Sequence, residues 1–119
     1  MKPRFLLDEH INPAIQRQLH RLAPTLEVLV VGQSDAPSKG TSDPDLLIWL
    51  EENNYILVTE NRSTIPVHLA DHFAQERHIP GVFWVRPNVN IGQIIEELYL
   101  IWLVSTAEEY QDRTLFIPS

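Results

Sequence analysis

Residues 4–10, Arg-Phe-Leu-Leu-Asp-Glu-His, set a short, wholly apolar run against an abrupt acidic stop. A strand that is apolar at every position, rather than at alternate ones, is covered on both faces, as in a parallel sheet between layers of helix. Similar runs recur at Leu26–Val31, ending at Gly32, at Tyr55–Thr59 and at Val82–Val85, with Thr114–Ile117 as a short fifth. Helix signals separate them. Asn12-Pro13 reads as an N-cap followed by proline at the first helical position, and Ile11, Ile15, Leu19 and Leu22 then recur at helical spacing. Asp43-Pro44 repeats that signal after a polar loop and opens a helix through Leu46, Leu47 and Leu50, which Asn53-Asn54 can leave by a left-handed turn. Pro66 to about Arg77 reads as a third helix with Leu69, Ala70 and Phe73 inward. The fourth carries an Asn90 cap, Gln93 three residues on, and Val89 placed to staple onto Ile94. Its apolar face is Ile91, Ile94, Ile95, Leu98 and Trp102.

Strands alternating with helices predict right-handed crossovers and an α/β fold. The expected architecture is a three-layer α/β/α sandwich on a mostly parallel sheet of four to five strands, one domain over residues 1–119.

Composition limits the chemistry. Nine Lys and Arg face 16 Asp and Glu, a formal charge of −7, and there is no cysteine for a disulfide, a thiolate metal site or a thiol nucleophile. No stretch approaches the ~20 apolar residues of a membrane span. The N-terminus lacks the apolar length of a secretory signal, so the expected location is the cytoplasm. An acidic surface argues against broad gripping of nucleic acid, without excluding a small nuclease that clusters carboxylates around metal ions.

In open parallel sheets ligands sit at the carboxyl ends of the strands. There the first strand delivers Asp8, Glu9 and His10, and the third delivers Thr59, Glu60, Asn61 and Arg62. Asp43 and Asp45 open the second helix on the same side. Carboxylates converging there would suit Mg²⁺ or Mn²⁺, which activate water for in-line attack at phosphorus. Asp8 is the strongest candidate, because a carboxylate that ends a buried strand has to stay solvated or paired. Asp43 serves equally as helix cap or as ligand, and Asp45 complements the helix dipole. His68 and His72 have zinc-like spacing, but no third ligand accompanies them and the zincin glutamate is missing, so a solvated face accounts for them. His68 stands in the first turn, near the same edge, within range of a substrate phosphate, for which Arg62 is the better-suited cation. Trp84 and Trp102 read as core, Trp49 is ambiguous, and Glu108, Glu109 and Asp112 read as solvated surface.

Three segments, RFLLDEHINPAI (4–15), TSDPDLLIWL (41–50) and YILVTENRS (55–63), together resemble the short PIN-like (PilT N-terminus-like) proteins, relatives of VapC-type toxins often catalogued as domains of unknown function. The resemblance spans nearly the whole chain and implies a PIN-type sandwich. It also implies an Mg²⁺- or Mn²⁺-dependent ribonuclease, commonly the toxin of a toxin–antitoxin pair. Asp8 matches the first acidic position and Asp43 the acid that opens the middle helix. Such proteins place acids two and four residues after the threonine of strand three. Here those places hold Asn61 and Ser63, with Glu60 one residue out of step.

Two functions therefore stay open. One is an RNA phosphodiesterase in which Asp8 and Asp43 hold the ion and Glu60 or Asn61 completes the shell. The other is a PIN-like fold that binds an antitoxin-like partner without cutting. A phosphoacceptor receiver is disfavoured, since Glu60-Asn61 supply no acceptor aspartate and no lysine follows Lys39. The run YLIWLV (99–104) is more apolar than one buried stripe requires, which predicts a homo-oligomer.

Overall fold

Five strands, β1 (Phe5–Leu7), β2 (Val28–Val30), β3 (Ile56–Thr59), β4 (Val82–Val85) and β5 (Thr114–Ile117), form one sheet in the order β2-β1-β3-β4-β5. Every neighbouring pair is parallel. The computed structural model describes residues 1–119. Parallel neighbours need a crossover, and four helices supply it: α1 (Ala14–Leu22), α2 (Asp43–Asn53), α3 (Ile65–Ala74) and α4 (Ile91–Val104), with a 3-10 turn at Ala107–Tyr110 before β5. No helix is long and apolar enough to cross a membrane.

The pleat sorts side chains into two cores. Phe5 and Leu7 of β1, Ile56 and Val58 of β3, and Phe83 and Val85 of β4 pack against Ile15 and Leu19 of α1 and Ile94 and Leu98 of α4. Leu6, Leu57, Val82 and Trp84 point the other way, onto Leu46, Leu47 and Leu50 of α2 and Ile65 and Leu69 of α3. The result is the expected three-layer sandwich, with an all-parallel sheet of five strands.

One connection departs from the expected handedness. From β1 the chain steps to β2 over the α1 face; it then moves in the opposite direction over the α2/α3 face, from β2 to β3 and on to β4. Those three crossovers share one hand. The step from β4 to β5 continues in that second direction, yet α4 lies on the α1 face, so this crossover has the opposite hand. Nearly all βαβ crossovers are right-handed, which makes this one unusual. Its consequence is local: the α3 side of β5 has no helix of its own above it.

The local signals mostly place the elements. Asn12 accepts from the Ala14 amide at 2.9 Å, Asn54 leaves α2 at φ 59°, and Asn90 with Gln93 forms a full capping box at α4. Other expectations need correction. The cap of α2 is Ser42, whose hydroxyl accepts from the Asp45 amide at 3.3 Å, and Asp43 sits one residue inside. On α3 the inward residues are Ile65, Leu69 and His72, while Ala70 and Phe73 are exposed. Leu22 and Ile91 also face outward.

Candidate functional site

The chain leaves β1 toward one side of the sheet and returns on the other, so strand order reverses between β1 and β3. That is where a parallel sheet opens a crevice at its carboxyl edge. Asp8 follows β1 directly, and its amide donates to the Val58 carbonyl at 3.0 Å, which extends the ladder by one residue. The half-buried carboxylate is held twice: Oδ2 accepts from the Thr59 hydroxyl at 2.7 Å, and Oδ1 from the Glu9 amide at 2.9 Å. Thr59 ends β3 and is fully buried, so its hydroxyl needs partners. It donates to Asp8 and accepts from the Asn61 amide at 3.0 Å. A hydrogen-bonded relay from Asn61 through Thr59 to Asp8 thus bridges the crevice.

Asn61 is committed elsewhere. Its Oδ1 accepts from the Ser63 amide, the Ser63 hydroxyl and the Thr64 amide at 3.3, 3.0 and 3.2 Å, and its Nδ2 donates to the Thr64 hydroxyl at 2.7 Å. This is the local bonding by which an asparagine closes a turn into a helix. Asp43, in the first turn of α2, faces His68 in the first turn of α3, with Oδ2 3.9 Å from Nε2. Glu60 is exposed. Arg62 lies over the Phe116 ring of β5, its guanidinium carbon 5.3 Å from the centroid.

Of the residues expected at the site, the structure joins Asp8 to Thr59 and Asp43 to His68. It does not gather carboxylates into a cage, and nowhere do three His, Asp or Glu side chains stand close enough to hold a metal ion. Asp8 keeps its bond to Thr59, as a ligating carboxylate also can, while the Asn61 side-chain oxygen is committed to the loop that leads into α3.

A second polar cluster lies where α3 returns toward β4, at the amino edge of the sheet. His72 is buried, with Nε2 2.9 Å from the His78 carbonyl and 3.3 Å from Glu51. Glu51 also accepts from Arg77 Nε at 3.0 Å and from the His78 amide at 3.2 Å. Burial pushes the Glu51 carboxyl up, but the bonds from His78 and Arg77 and the nearby cations outweigh it and hold the group below its ordinary range. Asp112 accepts from His78 Nδ1 at 2.7 Å and from the Ile79 amide at 2.9 Å. That hydrogen bond and charge raise the His78 pKa. Asp112 is therefore a clamp rather than free surface, and His72 belongs to the core. Glu108 binds the N-terminal ammonium at 2.8 Å, and Glu109 caps the turn before Tyr110. The roles of Asp112, His72 and Glu108 come from partners far apart in sequence, whereas Glu109 bonds Thr106 three residues before it. Compared with known proteins, the chain matches no family model, no curated protein and no solved structure.

Proposed function

We propose that this chain is a PIN-like domain acting in the cytoplasm as a binding or regulatory module, with an antitoxin-like protein as the kind of partner the resemblance implies. One observation carries the reading. Where a cutting PIN-like protein would present an acid, the chain has Asn61, and its side-chain oxygen already accepts three hydrogen bonds that close the loop into α3. A carbonyl so engaged offers little to a cation that demands near-ideal octahedral geometry.

The second reading is a metal-dependent ribonuclease. It is favoured by the position of Asp8 at the reversal of strand order and by Asp43 and His68 meeting at the heads of α2 and α3. In that case Asp8, Asp43 and Glu60 would hold the ion, and Arg62 and His68 would face substrate phosphate.

Titration calorimetry with Mn²⁺, run beside an RNA cleavage assay on the intact chain, separates the two. The binding module predicts no Mn²⁺ heat that Asp8→Asn removes, and no Mg²⁺-dependent cleavage. Firm Mn²⁺ binding and cleavage that both vanish in Asp8→Asn would transfer the conclusion to the nuclease.

A further inference from the structure

The two edges of the sheet are finished differently. At the β2 edge, Gln16 and Gln33 pair amide to amide at 2.9 and 2.8 Å. Gln16 also donates to the Val28 carbonyl at 2.8 Å, and Gln33 accepts from the Val30 amide at 3.0 Å. Those outward groups of β2 are spoken for by side chains, a recognised way to block strand addition.

Nothing comparable covers β5. Its ladder to β4 runs through alternate residues, as the bonds from Val82 N to Arg113 O and from Arg86 N to Ile117 O show. Thr114 and Phe116 therefore turn their amides and carbonyls outward, at the open end of the strand order. Because α4 crosses to the other face, the side chains of these two residues also lack a covering helix, and Phe116 is 40% exposed. Between them and α3 runs a groove of about 580 Å³, floored by Trp84 and walled by Pro66, Ala70 and Phe73.

The groove carries charge at one end. Arg62 and Arg86 both lie over Phe116, at 5.3 and 5.0 Å from its centroid. The arginines in ion pairs are Arg4 with Glu27 and Arg77 with Glu51; Arg62 and Arg86 have no carboxylate partner, in a chain of net charge −7. Arg86 Nε donates to the Pro118 carbonyl at 2.9 Å, but neither guanidinium is matched to a carboxylate, so both keep N–H groups for an incoming anion.

The geometry points to β5 as the docking edge for an extended acidic segment of a partner protein, which adds a sixth strand, lays an apolar side chain in the groove beside Phe116 and sets a carboxylate on Arg62 and Arg86. Strand addition supplies the backbone bonds, and the groove and arginines supply selectivity. A second copy is the poorer occupant. The acid beside its own edge, Asp112, stands just before β5 and is already held by His78 and Ile79, so it offers no free carboxylate to Arg62 and Arg86. This assignment depends on the fold alone, so it stands or falls separately from the PIN-like reading.

The test uses the intact chain and a displayed library of random twelve-residue peptides, with the selected peptides synthesised and their Kd measured. Selected peptides should join β-branched or aromatic residues to Asp or Glu. Their Kd should rise about tenfold or more in the double variant Arg62→Ser/Arg86→Ser. Thr114→Pro deletes an outward amide that β4 does not use, a substitution an edge strand tolerates, and should weaken binding similarly. Peptide should also slow hydrogen exchange at the Thr114 and Phe116 amides of the unaltered chain, a readout that needs no variant. Peptides without acids, or exchange unchanged at both amides, would overturn the assignment. So would self-association abolished by Thr114→Pro, which gives the edge to a second copy, or oligouridine binding lost in the double arginine variant, which gives it to RNA.

Discussion

Thr59 shows how one hydroxyl organises the carboxyl edge. Buried at the end of β3, it spends its proton on Asp8 and a lone pair on the Asn61 amide. Thr59→Val keeps the shape and deletes both bonds, leaving the Asn61 amide without this partner, which costs about 1–3 kcal/mol. Urea unfolding should show that loss, with Thr59→Ser closer to the parent. An unchanged midpoint for the valine variant would mean that the relay contributes nothing. At the opposite edge the titrating groups act with opposite signs. The folded state raises the His78 pKa above its ordinary 6.5, so its contribution is complete below that value and disappears as pH rises through the raised one. Glu51 is lowered from its ordinary 4.5, so its contribution is present above that value and lost as pH falls. Unfolding midpoints measured across pH should therefore decline on both sides of a mildly acidic optimum. Asp112→Asn, which removes the charge facing His78, should flatten the alkaline decline and leave the acid one; an alkaline decline of unchanged slope would remove His78 from the account.

Some elements state their own limits and others are decided from outside. The α4 cap is of the first kind, because Asn90 and Gln93 act within one turn and can be read from spacing. Asn90→Ala should cost about 1 kcal/mol, visible as a lower Tm; a variant as stable as the parent would show that the box is redundant. The inward face of α3 is of the second kind. Spacing favours Phe73 over His72, but the His72 ring finds Glu51 and the His78 carbonyl, partners supplied by another helix and by a loop. Asp8 was legible because it ends an apolar run. The turn-closing bonds of Asn61 were not, since its spacing suits a metal ligand and a turn closer alike and does not single out Ser63 and Thr64 as its partners. The side on which α4 crosses was equally hidden, because its sequence is apolar beyond one stripe. Gly81 has a role set by the tertiary structure: its φ is 145°, and an added Cβ would stand 3.0 Å from the Tyr110 carbonyl oxygen. Gly81→Ala should therefore destabilise through both strain and contact, and a neutral effect in thermal unfolding would contradict that packing.

The sheet divides the protein into two cores that share one backbone, so unfolding either core exposes the strands of the other. Phenylalanines on neighbouring strands test how sharply that interior is bounded. Phe83 of β4 is fully buried, with its ring 6.1 Å from Phe5 and 5.2 Å edge-on to Tyr110. Phe116 of β5, opposite Trp84 in the ladder, is 40% exposed under its two arginines. Removing the Phe83 ring leaves a cavity that the rigid sheet cannot collapse, and Phe83→Ala should cost about 3–5 kcal/mol. Domains of this size have in total only about 5–15 kcal/mol, so the variant should be partly unfolded on gentle warming. Phe116→Ala removes the same atoms from a ring already 40% exposed, leaves no closed cavity, and should cost clearly less, about 1–2 kcal/mol. Denaturant midpoints for the pair give the comparison directly. Similar losses in both would mean that β5 is as enclosed as β4, which would deny the bare groove and the docking edge together.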